Sequence, residues 1–225
     1  MSAIAERYQA VARQVADAAD RVGRSADDVT IVAVTKTVGV AEVRAALAAG
    51  IRDFGENRVR EFEGKYGLFP DASWHFIGTL QSNKVKDVVG KACLIHSVDS
   101  LHLLGVIDRK AAAVDAVQPV LLQVNVSGEQ AKHGFEPYEV ADVLLEAAHL
   151  PHVAVKGLMT MAPLGRAQDA RPVFRELREL RDSLSVSSPN GVELDELSMG
   201  MTNDYRVAIE EGATIVRIGR AIFGM

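Results

Sequence analysis

The sequence predicts an α/β protein of the (β/α)8 TIM-barrel class, one domain over residues 1–225 with an extra helix at its N-terminus. Three observations predict it. Short β-branched strands alternate with amphipathic helices about eight times, at intervals of roughly 20–40 residues. The strands are apolar on both faces, as parallel strands covered by helices must be. The 225 residues sit close to the length usual for this barrel, about 250. An open doubly wound sheet is the rival, but the first strand runs into "TKTVGV" with no G-x-G-x-x-G fingerprint.

The elements follow in order. Ile4, Tyr8, Val11, Val15 and Val22 keep the helical period through the first segment, and Gly23 ends it. "VTIVAVT" is the first strand, and "AEVRAALAAG" a helix with Val43 and Leu47 on one face and Gly50 just past its end. "IRDFGE" and "WHFIG" are strands, each followed by a polar helix, "NRVREFEGKY" and "QSNKVKDVVG". "CLIHSV" leads into a helix whose N-cap is Asp99 or Ser100. "PVLLQVNV", a loop, the helix "PYEVADVLLEAAHL" and the strand "VAVKGLMT" come next. Val173, Phe174, Leu177, Leu180 and Leu184 form the inner stripe of the following helix, whose charges form its wet face. "ELDELSMG", the helix "NDYRVAIEEG" and "ATIVRIG" complete the alternation.

Composition excludes several classes. A formal charge of −5 carries no basic footprint for nucleic acid. Glu6 and Arg7 arrive too early for a signal peptide, and no run reaches the roughly 18 apolar residues that span a bilayer, so a cytoplasmic protein is expected. Cys93 is alone, which rules out an intrachain disulfide and a thiolate cage; "KACLIHSV" reads it as a small core residue. No metal site is expected: H-E-x-x-H and Walker A sequences are absent, and His149 and His152 of "HLPH" precede a strand, at the non-catalytic end.

In such barrels the chemistry sits where strands end. Read in order, those ends carry Lys36, then Glu56 and Asn57, His75 with Gly78, Ser97, Asn125, Thr160, Ser198 to Gly200, and Arg217 to Gly219. Lys36 supports two readings: a structural lysine snorkelling to solvent, or an amine that attacks carbonyls from a partly dry mouth. The glycines of "LSMGM" and "RIGRAI" stand on the last two strands, the usual phosphate position of this architecture. A carbonyl-reactive lysine facing a phosphate nest describes a site for pyridoxal 5'-phosphate (PLP), and equally one for a phosphosugar aldolase.

"VTKT", "FGEN", "WHFIGTLQSNK", "IHSVDS", "LMTMAP", "LSMGMTND" and "VRIGRAIFG", in that order over nearly the whole chain, resemble the YggS/PROSC family of PLP-binding homeostasis proteins. The resemblance implies a barrel like the alanine racemase N-terminal domain, PLP fold-type III, and a role in vitamin B6 balance without an established turnover. By position it makes Lys36 the lysine that holds PLP as a reversible Schiff base, and Asn57 a neighbour of the ring. Ser198, Gly200, Gly219 and Arg220 resemble the phosphate-binding groups, and Arg217 the arginine against the pyridine nitrogen. Arg60 departs from a common glutamine, Thr202 from a common serine and Arg220 from a common threonine. An arginine at the ring nitrogen keeps that nitrogen neutral and the ring a poorer electron sink.

Other candidates carry two readings each. His75 is a satisfied strand histidine or a pocket wall; Lys132 and His133 form a solvated loop or a flap aiding cofactor exchange. Glu56 is an acid–base group or a carboxylate paired to an arginine. A PLP-dependent amino-acid racemase is the enzyme alternative; it needs a second proton carrier, and Tyr8, Tyr66, Tyr138 and Tyr205 are the tyrosines present, with no further domain expected after the barrel. PLP-dependent apoenzymes are the partners implied, and a barrel already covered by helices points to a monomer.

Overall fold

Ser2 starts the first helix, its side chain accepting the Ala5 N–H at 3.2 Å. A computed structural model describes residues 2–129, 133–163, 165–187, 189 and 192–224. After α1 (Ala3–Asp20), strands and helices alternate: β1 (Thr30–Val34), α2 (Val40–Ala48), β2 (Asp53–Glu56), α3 (Val59–Tyr66), β3 (Ser73–Phe76) and α4 (Val85–Val88). There follow β4 (Leu94–Val98), α5 (Leu101–Ala112), β5 (Gln118–Gln123), α6 (Val140–Ala147), β6 (Val153–Met159) and α7 (Arg171–Ser185). The chain ends with β7 (Glu196–Met201), α8 (Tyr205–Glu210), β8 (Ile215–Ile218) and α9 (Arg220–Phe223).

The strands close into a parallel barrel in sequence order, β8 pairing back onto β1 with Val32 opposite Arg217. Closure leaves no edge strand, and the helices bury the outer face. Between β2, β3 and α3 the rings of Phe54, Trp74, Phe62 and Phe76 pack at centroid distances of 5.3–6.5 Å. Inside the barrel, Val32, Leu94, Leu121, Met159 and Ile215 form a separate apolar cluster drawn from five strands. Buried polar side chains, among them His75, His96, Ser198 and Arg217, stand on strands of the same barrel. Among the described residues no helix is long and apolar enough to cross a membrane.

Some local expectations change. Cys93 is not a core residue: β4 begins one residue later, and Cys93 is exposed with its thiol donating to the Trp74 carbonyl. Val22 lies beyond the end of α1 and is exposed, because the helix gives way to a turn through Gly23. "QSNKVKDVVG" forms a 3-10 turn, Ser82–Lys84, and the single turn α4 rather than a full helix. Ser100, not Asp99, caps α5, accepting the Leu103 N–H.

Candidate functional site

Lys36 follows β1 at the C-terminal face, as its position in the sequence requires, and is exposed. It occupies a tight turn closed by the Val38 N–H on the Thr35 carbonyl at 2.9 Å. Thr37 completes the turn at φ +64°, a left-handed conformation that costs a β-branched residue on the order of 1–2 kcal/mol. Two groups of α3 hold this strained turn: Glu61 Oε2 accepts the Thr37 N–H at 3.2 Å, and Lys65 Nζ donates to the Thr35 carbonyl at 2.8 Å. Lys36 itself makes no ion pair among the described residues, so its amine is available to a ligand.

Glu56 ends β2 fully buried, and its partner is not an arginine. Lys65 Nζ and the Thr35 hydroxyl both donate to Glu56 Oε1, the latter at 2.6 Å. Glu56 Oε1 is thus held by two donors, while its Oε2 is buried without a hydrogen-bond partner among the described residues. Asn57, the next residue, keeps its Oδ1 buried without a partner among the described residues. Its backbone is pressed against Gly78, where a Cβ would lie 2.2 Å from the Asn57 carbonyl oxygen, so only glycine fits. The Ser97 hydroxyl donates to the Gly78 carbonyl and braces this contact from β4.

The interior polar groups converge on Arg217. Its guanidinium is 5% exposed, and it donates from Nη1 to Ser198 Oγ at 2.5 Å and from Nη2 to the Thr160 carbonyl at 3.0 Å. Burial lowers its pKa to about 10, against a smaller opposing effect of Asp204, so it remains a cation at neutral pH. No carboxylate hydrogen-bonds to it among the described residues. A desolvated cation with only neutral partners is costly unless a further acceptor meets it.

The strand register aims these groups. Between Ser198 and Met201 the β7–β8 pairing shifts, a bulge that places two residues of β7, Met199 and Gly200, against one of β8, Val216. Gly200 sits in the bulge at φ +90°, where a Cβ would lie 2.5 Å from that of Ala208 on α8. Gly219 is buried at the start of α9, and exposed Arg220 donates to Asn203 Oδ1 at 3.2 Å, tying the loops after β7 and β8 together.

The structure therefore brings Lys36, Asn57, Gly200, Arg217, Gly219 and Arg220 to the C-terminal face. Ser198 is engaged inside the barrel: its hydroxyl is fully buried between Arg217 and His96 Nδ1, 2.8 Å away. Thr202, on the turn after β7, is a half-buried hydroxyl at the C-terminal face. His75 is not a pocket wall; it bonds His96 and Asp53. Asn125 clamps its own loop through the Glu129 carbonyl and Glu136, and His133 lies 3.6 Å from Asp99. Lys132 lies outside the described residues.

Lys65 and His96 went unnoticed in the sequence. Both carried a signal: Lys65 shares the inward face of its helix with Phe62, and His96 alternates with Leu94 and Val98 along its strand.

Comparison with known proteins decides the family. Residues 7–225 match the family model "Alanine racemase, N-terminal domain". The pyridoxal phosphate homeostasis protein of Aquifex aeolicus is 46% identical over 97% of this chain and 96% of its own. This chain belongs to the pyridoxal phosphate homeostasis protein family. Another family member, PipY of Synechococcus elongatus, has been solved without PLP, superposing with a TM-score of 0.89 at 37% identity over 98% of this chain and all of that one. PipY with PLP bound superposes with a TM-score of 0.85 at 36% identity, again over 98% of this chain and 100% of that one. The alanine racemase of Clostridium difficile shares the fold alone, at 17% identity and a TM-score of 0.73, over 94% of this chain and 58% of that one.

Proposed function

We propose that this protein binds PLP at the barrel mouth and holds it covalently and reversibly on Lys36, serving intracellular PLP homeostasis rather than turnover of a substrate. The observation that carries this reading is Arg217: a buried guanidinium with only neutral hydrogen-bond partners among the described residues, at the face that also presents the Lys36 amine, which pairs with none of them. The relative PipY, which has been solved with PLP bound, supports it. When bound, PLP supplies an aldehyde that condenses with amines and a ring that withdraws electrons.

Each residue has a task that its surroundings explain. Lys36 contributes the amine, and the strained turn around it fixes where that amine stands. Arg217 donates a hydrogen bond to the ring nitrogen and, being a cation, keeps that nitrogen unprotonated. Asn57 offers the buried Oδ1 that no described residue pairs with. The backbone at Gly200, Gly219 and Arg220, with the Thr202 hydroxyl, holds the phosphate; Ser198 serves Arg217 instead.

A carrier fits this mouth better than a racemase. Two-base racemisation needs a second proton carrier, and among the described residues no tyrosine hydroxyl hydrogen-bonds to Lys36, Asn57 or Arg217. Tyr66 stacks on Phe62, Tyr205 donates to Gln14 of α1, Tyr138 is 79% exposed, and Tyr8 lies on α1 near Asp53. An open, exposed lysine also suits release of PLP to apoenzymes, and the helix-covered barrel suits a monomer.

The test is incubation with PLP, borohydride reduction and peptide mass spectrometry. A pyridoxyl group on the Lys36 peptide, absent from Lys36→Ala, is expected. No adduct on the wild type, or equal labelling of Lys36→Ala, would sink the proposal. Lys36-dependent exchange of the alanine α-proton at ordinary enzymatic rates would replace the carrier reading with the racemase.

A further inference from the structure

The interior hydrogen bonds do not stop at Ser198. Ser198 Oγ lies 2.8 Å from His96 Nδ1; His96 Nε2 lies 2.9 Å from His75 Nδ1; His75 Nε2 lies 3.3 Å from Asp53 Oδ1. These residues stand on β7, β4, β3 and β2, so the series crosses the barrel from Arg217 to the N-terminal end of β2, where the Asp53 carboxylate is about one-third exposed, at 35%.

We propose that Asp53 is the remote counter-ion of Arg217, joined to it through Ser198, His96 and His75 by four hydrogen bonds that all run from guanidinium to carboxylate. His96 and His75 are then positioning residues for Arg217. The two ends dictate the direction. A guanidinium can only donate, and an ionised carboxylate can only accept. With Arg217 donating to Ser198, the single hydroxyl proton of Ser198 goes to His96 Nδ1. His96 donates from Nε2 to His75 Nδ1, and His75 from Nε2 to Asp53. Every donor has one acceptor, and both imidazoles are neutral with the proton on Nε2. The reverse order directs two protons at Ser198 Oγ and leaves its own hydroxyl proton without a partner in the series.

Burial, then His75 and Arg217, push the His96 pKa well below the ordinary histidine value, in keeping with a neutral link. The arrangement has a use. A carboxylate placed directly on Arg217 would occupy the donors that a ligand needs. Aligned bond dipoles stabilise the buried cation from a distance and leave those donors at the mouth.

The consequence for PLP rests on the reading given under Proposed function, so the test has one arm that needs no PLP. Histidine 15N spectra of the ligand-free protein at neutral pH are expected to show His75 and His96 each as a single Nε2–H tautomer. In Asp53→Leu, His75 should become a tautomer mixture and the His96 nitrogens should shift. PLP should still label Lys36, with its Kd raised roughly five- to tenfold, as loss of an ordered buried hydrogen bond implies. Asp53→Asn keeps an acceptor oxygen without the charge and should weaken binding less; it also serves if Asp53→Leu does not fold. A wild type with Nδ1–H on His96 or a doubly protonated His75 overturns the proposal. So does an unchanged Kd in both Asp53 variants, even if the tautomers move. Failure of the wild type to label Lys36 would sink PLP binding alone, since the tautomer spectra would still decide the series.

Discussion

Lys65 Nζ donates to the carbonyl of Thr35 at 2.8 Å, and that same carbonyl accepts the Val38 N–H that closes the turn around Lys36. A buried lysine on α3 thus holds in place the exposed lysine of the site. Lys65 also pairs with Glu56, whose carboxylate is fully buried, and lies 3.9 Å from Glu61 on its own helix.

Removing Lys65 should therefore be severe. Lys65→Met leaves the Glu56 carboxylate buried and unpaired, and unfolding free energy in urea should fall by about 3–5 kcal/mol. The double variant Lys65→Met/Glu56→Leu should recover most of that loss, because no charge then remains in the core. A double variant as unstable as the single one would show that the pair is not what holds the turn.

Thr37→Gly tests the strain in the same turn. Glycine adopts a φ of +64° freely, so relief of the left-handed penalty should outweigh its chain entropy and raise stability by about 0.5–1 kcal/mol. The less restrained turn should weaken PLP binding. Urea titration and a PLP binding curve read the two effects, and a loss of stability would show that the turn is not strained at Thr37.

Ser198 and Thr202 should separate by their choice of ligand. If Thr202 meets the phosphate, Thr202→Ala should reduce the preference for PLP over pyridoxal, which lacks that group, by roughly five- to tenfold. Ser198→Ala disturbs Arg217 and should weaken both ligands alike. The opposite pattern would return Ser198 to the phosphate site.

Part of the stability lost in acid should come from Arg171. Its Nη2 bonds Glu210 at 2.5 Å and its Nη1 bonds Glu211 at 2.7 Å, tying α7 to the helix packed on Gly200. The Arg171 hydrogen bond lowers the Glu210 pKa; at Glu211 burial opposes ionisation, but the bonds from Arg175 and Arg171 outweigh it. With folded pKa values below the unfolded ones, the native state binds fewer protons, so stability rises with pH through this window. It is complete above the unfolded carboxylate value of about 4.3 and lost as pH falls through the folded values. Arg171→Met should cost about 1–2 kcal/mol at pH 7, and the gap to wild type should close as acid protonates both carboxylates. A gap independent of pH would assign the loss to packing.

The alternation of strand and helix, the barrel it predicts and the face on which Lys36, Asn57, Gly200, Arg217 and Gly219 gather were all legible in the sequence. Those features depend on local periodicity, on which residues end a strand, and on where such ends point in a closed parallel barrel. Only the tertiary structure decided which inward residues meet. Ser198 and Arg217 are 19 residues apart and Ser198 and His96 are 102 apart, and no local pattern couples them. Their meeting depends on the register of the closed barrel, which sets Ser198 of β7 against Arg217 of β8 and His96 of β4. The sequence alone accounts for a lysine at the end of the first strand; the closed barrel decides that Arg217, Ser198, His96, His75 and Asp53 stand in one hydrogen-bonded series.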